Sequence, residues 1–540
     1  MNEKKSGAYA LISVWNKTGL ETIASALASR GYQILSTGGT ARYLSSRGIE
    51  VTMVEDVTGF PEVLDGRVKT LHPVIHAGIL ADRKNPKHMD QLAGKNIGPI
   101  DFVICNLYPF GDVLEKTLAK KPRLSLSDRE ELSELIENID IGGVAILRAA
   151  SKNYASVVTI TDPADYKVMA EKLDAGHDIS EEERFRLAVK AFTATARYDT
   201  LISSALSAIA SAGEDTEEAV ESINLFLENI FVPRYGENPH QRAFVYRKAA
   251  SSLEGPGNSA GRGILGLKQL QGKQLSYNNI LDSQVAAELA DSFGEPAAVL
   301  LKHQIPCGVA IGDNLTDNYR RALASDPVSP FGGIFAFNRE VTVELAKELA
   351  DFFFEVLIAP SVSEEALEIL GKKKNLRILT GKPDVSAKWD FRSAGPLILL
   401  QESDKLESAV KTEAVTSRKP TEGELHDLLF AYNVCRMVKS NGIVLARNGA
   451  TAGIGSGQPN RVGALEIALN YRNNMKNPPA NFVLASDGFF PFSDSVRIAA
   501  ENGCTAIIQP GGSIRDSESI EEAEKHGMAM VFTGTRHFRH

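Results

Sequence analysis

The sequence is poor in cysteine, and this excludes two common means of stabilising a fold. Four cysteines are spread over 540 residues, and none forms a CxxC pair: Cys105, Cys307, Cys435 and Cys504. Disulfide frameworks occur in small domains that are dense in cysteine, and structural zinc sites use closely spaced pairs such as CxxC. We therefore expect neither in this chain.

Long apolar runs and an excess of positive charge are also missing. No stretch reaches the roughly 18 consecutive apolar residues of a membrane span. The N-terminal segment lacks the apolar core and small-residue cleavage site of a signal peptide. The chain has 59 basic and 68 acidic residues and a net charge of -9, whereas nucleic-acid-binding proteins usually carry a basic surface. We expect a soluble, cytoplasmic protein without membrane or nucleic-acid partners. An acidic chain can still bind a phosphorylated small molecule where positive groups and backbone N–H groups are concentrated locally.

Two nucleotide-binding motifs and one zinc motif are absent or out of context. There is no G-x-x-x-x-G-K-[ST] phosphate loop. Gly261–Gly266 matches G-x-G-x-x-G, but it follows a Gly/Ser-rich insert instead of a strand. His72 and His76 have helical spacing, but no glutamate follows His72 as a zinc protease requires. Pro73 and Gly78 argue against a regular helix at this point.

Apolar segments that alternate with helical patterns predict an α/β protein in two parts. The length predicts about three to four units of roughly 150 residues. The first part alternates strands and helices in the manner of a parallel, doubly wound sheet, with strands predicted at 8–14, 33–36, 51–54, 102–107 and 156–160. Helical spacing follows over 180–212. The polar run Ser211–Glu218 then marks the boundary between domains 1–212 and 213–540.

The second part is a larger α/β region. Its predicted strands are 298–303, 332–337, 355–359, 443–447, 482–486, 505–508 and 528–532. Two similar halves are compatible with this order, although no repeat at a short fixed period is visible.

Thr37-Gly-Gly-Thr40 is a candidate anion site. Its glycines allow the backbone to approach a ligand, and the helix that follows offers unpaired N–H groups to a phosphate. An ordinary strand–helix turn is the alternative. The nearby basic segment Arg67–His72 favours the anion site.

Lys302-His303 ends the apolar run Ala298–Leu301 and is a candidate catalytic pair. Histidine exchanges a proton near neutral pH, and the adjacent lysine adds a positive charge. The alternative is a lysine at a strand end beside a structural histidine. Pro306-Cys307 matches part of the zinc-deaminase signature H-x-E…P-C-x-x-C, but position 310 is alanine and no H-x-E precedes it. A deaminase is therefore disfavoured.

Glycine-rich loops in the second part add further candidates for binding an anionic substrate. The longest runs from Gly453 to Arg461, whose guanidinium suits a phosphate or carboxylate. Similar loops follow at Gln509–Ser513 and Thr533–Arg536. A turn-rich structural role is the alternative for each loop.

Taken together, the motifs resemble a family of bifunctional purine-biosynthesis proteins that join an IMP cyclohydrolase to an AICAR transformylase. The motifs in the cyclohydrolase half are SVWNKTGL, STGGTARYL, GRVKTLHPVIHAGIL, CNLYPF and IDIGGVAILRAASKN. Those in the transformylase half are RYGENPHQ, LKHQIPCG, SPFGGIFAFN, NGIVLARNG, IGSGQPNR, SDGFFPF and TRHFRH. The resemblance covers essentially the whole chain.

The resemblance implies a fold, a reaction and a partner. It implies an N-terminal domain like methylglyoxal synthase and a C-terminal region of two cytidine-deaminase-like subdomains without zinc. It also implies formyl transfer from the co-substrate 10-formyltetrahydrofolate to AICAR, followed by cyclisation of formyl-AICAR to IMP with loss of water. A homodimer with transformylase sites at the subunit interface is implied. No catalytic metal is expected, and a monovalent cation is left open.

For the transformylase, the resemblance assigns proton removal to His303 and charge stabilisation to Lys302. Asn441 then donates to the formyl oxygen or to the carboxamide. The residues implied to hold the ribotide are Arg234, Tyr235, Gly332, Glu355, Arg461 and Arg536. Those implied to line the folate side are Val462, Phe489, Asp494, Ser513 and Ile514. Glu355 stands where some relatives carry aspartate.

For the cyclohydrolase, the resemblance implies a charged set of Lys69, Tyr108, Asp140 and Lys152, with Lys152 as the preferred proton shuttle. Positioning and proton transfer suffice for ring closure. The residues implied to hold the nucleotide are Trp15, Asn16, Lys17, Thr37, Gly38, Gly39, Thr40, Arg67, Thr70, Asn106 and Ile141. Trp15 stands where many relatives have serine. The alternative is a transformylase whose N-terminal domain only binds an effector.

Overall fold

The computed structural model describes residues 8–64, 67–210, 222–251, 263–384, 389–405 and 410–540. The chain divides into two compact units, of which the first comprises Met1–Leu227 and Lys248–Ala260 and the second Glu228–Arg247 and Gly261–His540. The polar run Ser211–Glu218 and most of the Gly/Ser-rich insert lie outside the described residues. The boundary at 212/213 therefore stays a prediction.

The first unit contains a five-stranded parallel sheet in the order β3-β2-β1-β4-β5. Its strands are β1 (Tyr9–Val14), β2 (Gln33–Ser36), β3 (Thr52–Met53), β4 (Ile100–Asn106) and β5 (Val158–Ile160). Its helices are α1 (Leu20–Ser29), α2 (Gly38–Ser45), α3 (Val54–Thr58), α4 (Pro73–Leu80), α5 (Pro86–Gly94), α6 (Phe110–Lys120), α7 (Arg129–Glu137), α8 (Gly142–Lys152), α9 (Tyr166–Asp174) and α10 (Glu181–Ala210). The predicted parallel, doubly wound sheet is confirmed.

Apolar side chains cover both faces of this sheet, as parallel sheets require. One face packs against α1 and α9, and the other against α4 and α8. The chain builds β2 and β3 on one side of β1 and then places β4 on the other side. The carboxyl ends of β1 and β4 therefore flank a topological switch point, where open α/β sheets bind ligands.

One local prediction is wrong in this unit. Pro73–Leu80 forms a regular helix despite Pro73 and Gly78. Proline at a first helical position loses no hydrogen bond, because that N–H has no partner within the helix. His72 caps the helix, since its Nδ1 accepts a hydrogen bond from Val74 N at 3.3 Å.

A two-stranded ribbon of β6 (Leu225–Phe231) and β7 (Val245–Ser251) follows, and the division between the units falls within it.

The second unit is built on a twelve-stranded mixed sheet in the order β16-β21-β20-β19-β17-β18-β10-β9-β11-β12-β13-β8. Its strands are β8 (Lys268–Gln271), β9 (Ala297–Lys302), β10 (Ile305–Ile311), β11 (Ile334–Phe337), β12 (Val356–Ala359), β13 (Arg377–Thr380), β16 (Glu413–Ala414), β17 (Ile443–Arg447), β18 (Ala450–Gly455), β19 (Phe482–Ser486), β20 (Cys504–Gln509) and β21 (Ala529–Phe532). A separate ribbon contains β14 (Trp389–Ala394) and β15 (Leu397–Glu402).

The helices of the second unit are α11 (Tyr277–Asp291), α12 (Leu315–Ser325), α13 (Val343–Ala350), α14 (Glu364–Leu370), α15 (Glu422–Arg436), α16 (Arg461–Asn473), α17 (Asp494–Glu501) and α18 (Asp516–Lys525). Helices α11 and α15 pack on one face of the sheet in a shared core. The other six cover the opposite face in two separate cores, one for each half of the sheet.

The large sheet consists of two halves with the same topology. Each half has an edge strand, a 15-residue helix, a hairpin and then three helix–strand units whose strands are parallel. The halves meet where β10 pairs antiparallel with β18. The sequence pattern was compatible with two similar halves but did not establish them. Their shared topology becomes visible only in the structure.

Strand β10 was not predicted, because Pro306 and Gly308 usually end a strand. A register shift between these residues accommodates the proline. At Gly308, a Cβ would lie 1.9 Å from Ala322 O, so only glycine allows α12 to pack this closely. Within the part of the chain that the structure describes, no helix is both long and apolar enough to cross a bilayer.

Candidate active sites

A cavity of about 490 Å³ lies at the carboxyl edge of the five-stranded sheet, and we call it the N-terminal cavity. Its walls come from the ends of β1, β2 and β4, from the loop before α4 and from the start of α8. Most residues predicted for the cyclohydrolase line it, namely Trp15, Lys17, Thr37, Gly38, Gly39, Thr40, Arg67, Lys69, Thr70, Asn106, Tyr108, Asp140 and Ile141. The structure thus brings together side chains from five separate segments.

The N-terminal cavity has the features of an anion site. Two helices begin at its wall, α2 at Gly38 and α8 at Gly142. Helix N-termini carry unpaired N–H groups and the positive end of the helix dipole. Lys69 adds a cation beside α2, since a Cβ on Gly38 would lie 3.6 Å from its Nζ. This arrangement is suited to a phosphorylated ligand.

Asn106 fixes the loop that follows β1. Its Oδ1 accepts hydrogen bonds from Trp15 N at 2.7 Å and Asn16 N at 2.9 Å, and its Nδ2 donates to Asn16 O at 3.0 Å. The Trp15 ring then meets the Tyr108 ring edge to face, with centroids 5.6 Å apart. Asn106 therefore shapes the mouth of the cavity by holding backbone.

Asp140 and Tyr108 are two titratable groups that line the cavity. Asp140 is buried, and its carboxylate accepts hydrogen bonds from Gly143 N at 2.7 Å and Tyr108 N at 3.3 Å. Burial raises the pKa of Asp140, and the two backbone hydrogen bonds partly oppose this. The pKa of Tyr108 is also raised, first by burial and then by the nearby Asp140 charge. Both groups therefore favour their neutral forms more than exposed groups would.

Lys152 and Asn16 do not line the cavity. Lys152 is the exposed last residue of α8, whose first residue borders the cavity. A helix rises about 1.5 Å per residue, so Lys152 lies roughly 15 Å along the helix from that wall. Lys69 is instead the lysine near Tyr108 and Asp140.

The sequence reasoning missed Glu137 and the glycine pair at the start of α8. Glu137 accepts hydrogen bonds from Arg67 at the cavity, and this contact lowers the pKa of Glu137. Both side chains are more than half exposed, so the pair is readily exchanged for a ligand. The Gly-Gly pair of IDIGG stands before a helical segment, as the glycine pair of Thr37–Thr40 does. The same pattern was therefore sufficient to predict Gly142 and Gly143 as candidate site residues.

The second candidate site lies along one edge of the twelve-stranded sheet. Strand pairing places five features there: the end of β9 at Lys302, the start of β11, the segment before β17, the end of β18 and the end of β19. We call this line of strand ends the Lys302 edge. A cavity of about 460 Å³ opens on it, lined by Lys302, His303, Ile305, Pro306, Cys307, Ser325, Asp326, Ser329, Ile454, Ser456, Ile467 and Tyr471.

Lys302 and His303 are presented by a tight hairpin turn. His303 and Gln304 connect β9 to β10, and both have positive φ, 54° and 63°. Such values are uncommon outside glycine, asparagine, aspartate and histidine, so they are costly for Gln304, and strained backbone of this kind concentrates at functional sites. The Lys302 ammonium donates to Phe331 O at 2.7 Å, next to Gly332. The pair therefore lies at a strained point, facing the loop that contains Gly332.

Asn441 and Arg461 form a second group on the same edge. Arg461 is buried and donates to Asp487 at 2.5 Å, Ser486 at 2.7 Å and Asn441 Oδ1 at 2.8 Å. Its guanidinium is thus bonded within the protein, although the sequence suggested a ligand clamp. In this structure Arg461 orients Asn441 and neutralises Asp487.

The two groups are separated within one chain. Three strand spacings lie between β9 and β17, which amounts to about 14 Å across the sheet. His303 and Asn441 of the same chain are therefore too far apart to belong to one hydrogen-bonded centre.

The remaining predicted ligand residues are found at separate points of the second unit. Arg234 stacks over Tyr235 at 5.9 Å and Arg536 over Phe538 at 4.7 Å. Glu355 accepts from Asn279 at 2.8 Å and pairs with Arg377 at 3.5 Å. The residues predicted for the folate side flank the ends of β18, β19 and β20, and among them Ile514 is fully exposed. They are Val462, Phe489, Asp494, Ser513 and Ile514.

Among the described residues, no group of three or more His, Cys, Asp or Glu side chains is arranged to hold a metal ion. Cys307 borders the cavity that opens on the Lys302 edge, and burial raises the pKa of its thiol to about 12.

Comparisons with known proteins match both parts of the chain. Residues 19–145 match the family model of the MGS-like domain, and residues 150–471 match that of the AICARFT/IMPCHase bienzyme. Two similar relatives are both called bifunctional purine biosynthesis protein PurH. The one from Acetivibrio thermocellus is 49% identical over 98% of this chain and 99% of its own length. The one from Anoxybacillus flavithermus is 48% identical over the same shares of the two chains.

Proposed function

Because the chain belongs to the AICARFT/IMPCHase bienzyme family, we propose that its two reactions take place at the N-terminal cavity and at the Lys302 edge. It is a bifunctional enzyme of purine biosynthesis. It transfers a formyl group from 10-formyltetrahydrofolate to AICAR, and it cyclises formyl-AICAR to IMP. The alternative of an N-terminal domain that only binds an effector is not favoured.

The cyclohydrolase reaction is assigned to the N-terminal cavity. One observation carries this assignment: two helix N-termini and Lys69 face the same cavity as the buried Asp140. The helix starts and cations hold the phosphate of the ribotide. The carboxamide and formamide groups then lie between Tyr108, Asp140 and Lys69.

Ring closure at this site needs proton transfers and no other chemistry. The carboxamide nitrogen attacks the formamide carbon, and one C–N bond forms. The C–O bond of the formyl group then breaks, and its oxygen leaves as water with one proton from the carboxamide nitrogen and one from the formamide nitrogen. Asp140, whose pKa is raised toward neutral pH, is suited to donate and return protons. Tyr108, whose pKa is raised further from neutral pH, stays protonated and is suited to donate a hydrogen bond. Lys69 supports the charge on the oxygen. The position of Lys152 at the far end of α8 favours Lys69 over Lys152 as the participating lysine.

Formyl transfer is assigned to the Lys302 edge. The folate co-substrate supplies an activated formyl group. His303 takes the proton from the AICAR amine as its nitrogen attacks the formyl carbon, and Lys302 stabilises the charge that develops on the formyl oxygen or on the departing folate nitrogen. The bond between the formyl carbon and the folate nitrogen breaks, and a proton is returned to the folate nitrogen. Asn441, oriented by Arg461, is a further donor.

A homodimer is proposed with transformylase residues from both subunits at each site. The separation of about 14 Å between β9 and β17 supports this: a second copy can bring an Asn441 group opposite a Lys302 group. The exposed apolar residues of β15 also support it, since Leu397, Ile398 and Leu399 are each more than half exposed. The two topologically equal halves support the predicted cytidine-deaminase-like subdomains. A cytoplasmic location stays a prediction.

Two variants test the separation of the sites. His303→Ala is expected to abolish formyl transfer and to leave cyclisation of supplied formyl-AICAR unchanged. Lys69→Met is expected to do the converse. Ultraviolet absorbance measures tetrahydrofolate and IMP separately. Loss of both activities in either folded variant would contradict the two-site assignment.

A further inference from the structure

The two halves of the large sheet contain equivalent hairpins with different turn residues. In the first half, β9 and β10 are joined by His303 and Gln304. In the second, β17 and β18 are joined by Asn448 and Gly449, which also have positive φ, 51° and 67°. Asn-Gly is the preferred pair for such turns. His-Gln is not, so the first turn adopts this geometry against the preferences of its residues.

An aspartate anchors each turn from the same position of an equivalent helix. Asp282 is the sixth residue of α11, and Asp427 is the sixth residue of α15. Asp282 precedes His303 in the sequence by the same number of residues as Asp427 precedes Asn448. Both helices have 15 residues and begin with a capping box. The two aspartates are therefore structural counterparts.

The hydrogen bonds are equivalent as well. Asp427 accepts from Asn448 N at 2.8 Å and from Gly449 N at 2.7 Å. Asp282 accepts from His303 N at 3.0 Å, and the Gln304 N–H also stabilises its carboxylate. In the second half this anchor holds a turn that is already favourable. In the first half it holds a turn that lacks the favoured Asn-Gly pair and in which Gln304 adopts a costly positive φ.

We propose that Asp282 is a positioning residue for formyl transfer: it fixes the strained His303–Gln304 turn and thereby holds the His303 imidazole in its reacting position. The proposal rests on the proposed role of His303. It explains why an unfavourable pair occupies the turn, since the catalytic side chain itself is one of the turn residues. Asp282 is half-buried, and attraction to His303 and the hydrogen bonds from the turn partly offset the rise in its pKa caused by burial.

The chain offers a matched control, because Asp427 makes the same contacts at a turn without a proposed catalytic residue. Asp282→Asn keeps the shape of the side chain and weakens the anchor. We expect its kcat for formyl transfer to fall by about 10- to 100-fold, as for a small misplacement of a reacting group. The KM for AICAR and the cyclisation rate should change little. Asp427→Asn should lower the thermal unfolding midpoint but leave kcat per folded molecule within about twofold.

A second variant separates positioning from general stability. In Asp282→Asn/Gln304→Gly, glycine removes the cost of positive φ and restores the turn without the anchor. We expect this double variant to regain a large part of the lost kcat and to remain folded even where the single variant is unstable. Gln304→Gly added to Asp427→Asn should change kcat little.

Two results would overturn the proposal. One is an Asp282→Asn enzyme with kcat within about twofold of wild type; the other is an equal loss of kcat in Asp427→Asn. His303→Ala distinguishes this failure from that of the assigned function. If His303→Ala abolishes formyl transfer while Asp282→Asn leaves it intact, only the positioning role of Asp282 is wrong. If His303→Ala retains formyl transfer, the assignment of the site itself is wrong.

Discussion

The carboxylate of Asp140 bends back onto the helix that follows it, where Oδ1 accepts a hydrogen bond from Gly143 N at 2.7 Å. A Cβ on Gly143 would lie 2.5 Å from Asp140 Oδ2. Glycine at this position is therefore what allows a buried carboxylate to lie against the start of α8. The contact links the N-terminus of α8, proposed to bind an anion, to the proposed acid–base group of the same cavity.

Gly143→Ala should disrupt this contact. We expect a loss of about 1–3 kcal/mol in the free energy of unfolding and a marked fall in the cyclisation rate, because Asp140 must move. Thermal unfolding and a cyclisation assay check this. Gly94→Ala in α5 is the control, since nothing lies within 4 Å of its added Cβ. Equal behaviour of the two variants would contradict the prediction.

Lys69→Met and Lys152→Met should differ strongly in cyclisation. Lys69 lines the N-terminal cavity, whereas Lys152 lies at the exposed end of α8. We expect a loss of about 10²- to 10⁴-fold for Lys69→Met, the range for groups that transfer protons. Lys152→Met should retain most activity in steady-state assays with formyl-AICAR. A large loss in the Lys152 variant would instead support the role that the resemblance implied.

Transplanting the turn of the second half into the first should separate stability from catalysis. His303→Asn/Gln304→Gly places the favourable Asn-Gly pair between β9 and β10. We expect the free energy of unfolding to rise by about 1 kcal/mol, because positive φ is no longer costly. Formyl transfer should fall at least about 100-fold with the loss of the imidazole. A variant that is less stable than wild type would show that the His-Gln turn carries no strain.

Removing Arg461 should destabilise the second unit. Asp487 is fully buried, and Arg461→Ala would leave its charge unpaired. Breaking a buried ion pair on one side costs about 3–5 kcal/mol. Arg515→Ala breaks an exposed pair with Glu518, which water and salt screen, and should change the free energy of unfolding little. Chemical denaturation of both variants measures the difference, and similar losses would contradict the structural role of Arg461.

The cysteines should react slowly with thiol reagents in the native protein. Burial raises the pKa of Cys307 and of Cys504 to about 12, and it also raises the pKa values of Cys105 and Cys435 well above the ordinary value. Since the thiolate is the reactive form, labelling at pH 8 should be about a thousandfold slower than for an ordinary cysteine. The rate should rise about tenfold per pH unit up to that pKa. Rapid labelling of one equivalent at pH 8 would contradict this.

Local sequence patterns predicted the parallel sheet of the first unit and seven strands of the second. Apolar runs are a reliable signal where a strand is buried on both faces, as in β9 and β19. The pattern failed to predict the helix that begins at Pro73 and the strand β10, because proline and glycine are tolerated at these particular positions. At Gly308 the reason is the neighbouring carbonyl of Ala322, which lies outside any local window.

The sequence by itself determined the family, both reactions and most residues of the N-terminal cavity, because ordered motifs and glycine-rich strand ends are local signals. Only the tertiary structure placed Lys152 away from that cavity and turned Arg461 inward to Asp487. It alone paired Asp282 with the turn of His303 and revealed its counterpart at Asp427. These relationships join residues far apart in the chain, and they depend on helix length, strand order and burial, which no local pattern encodes.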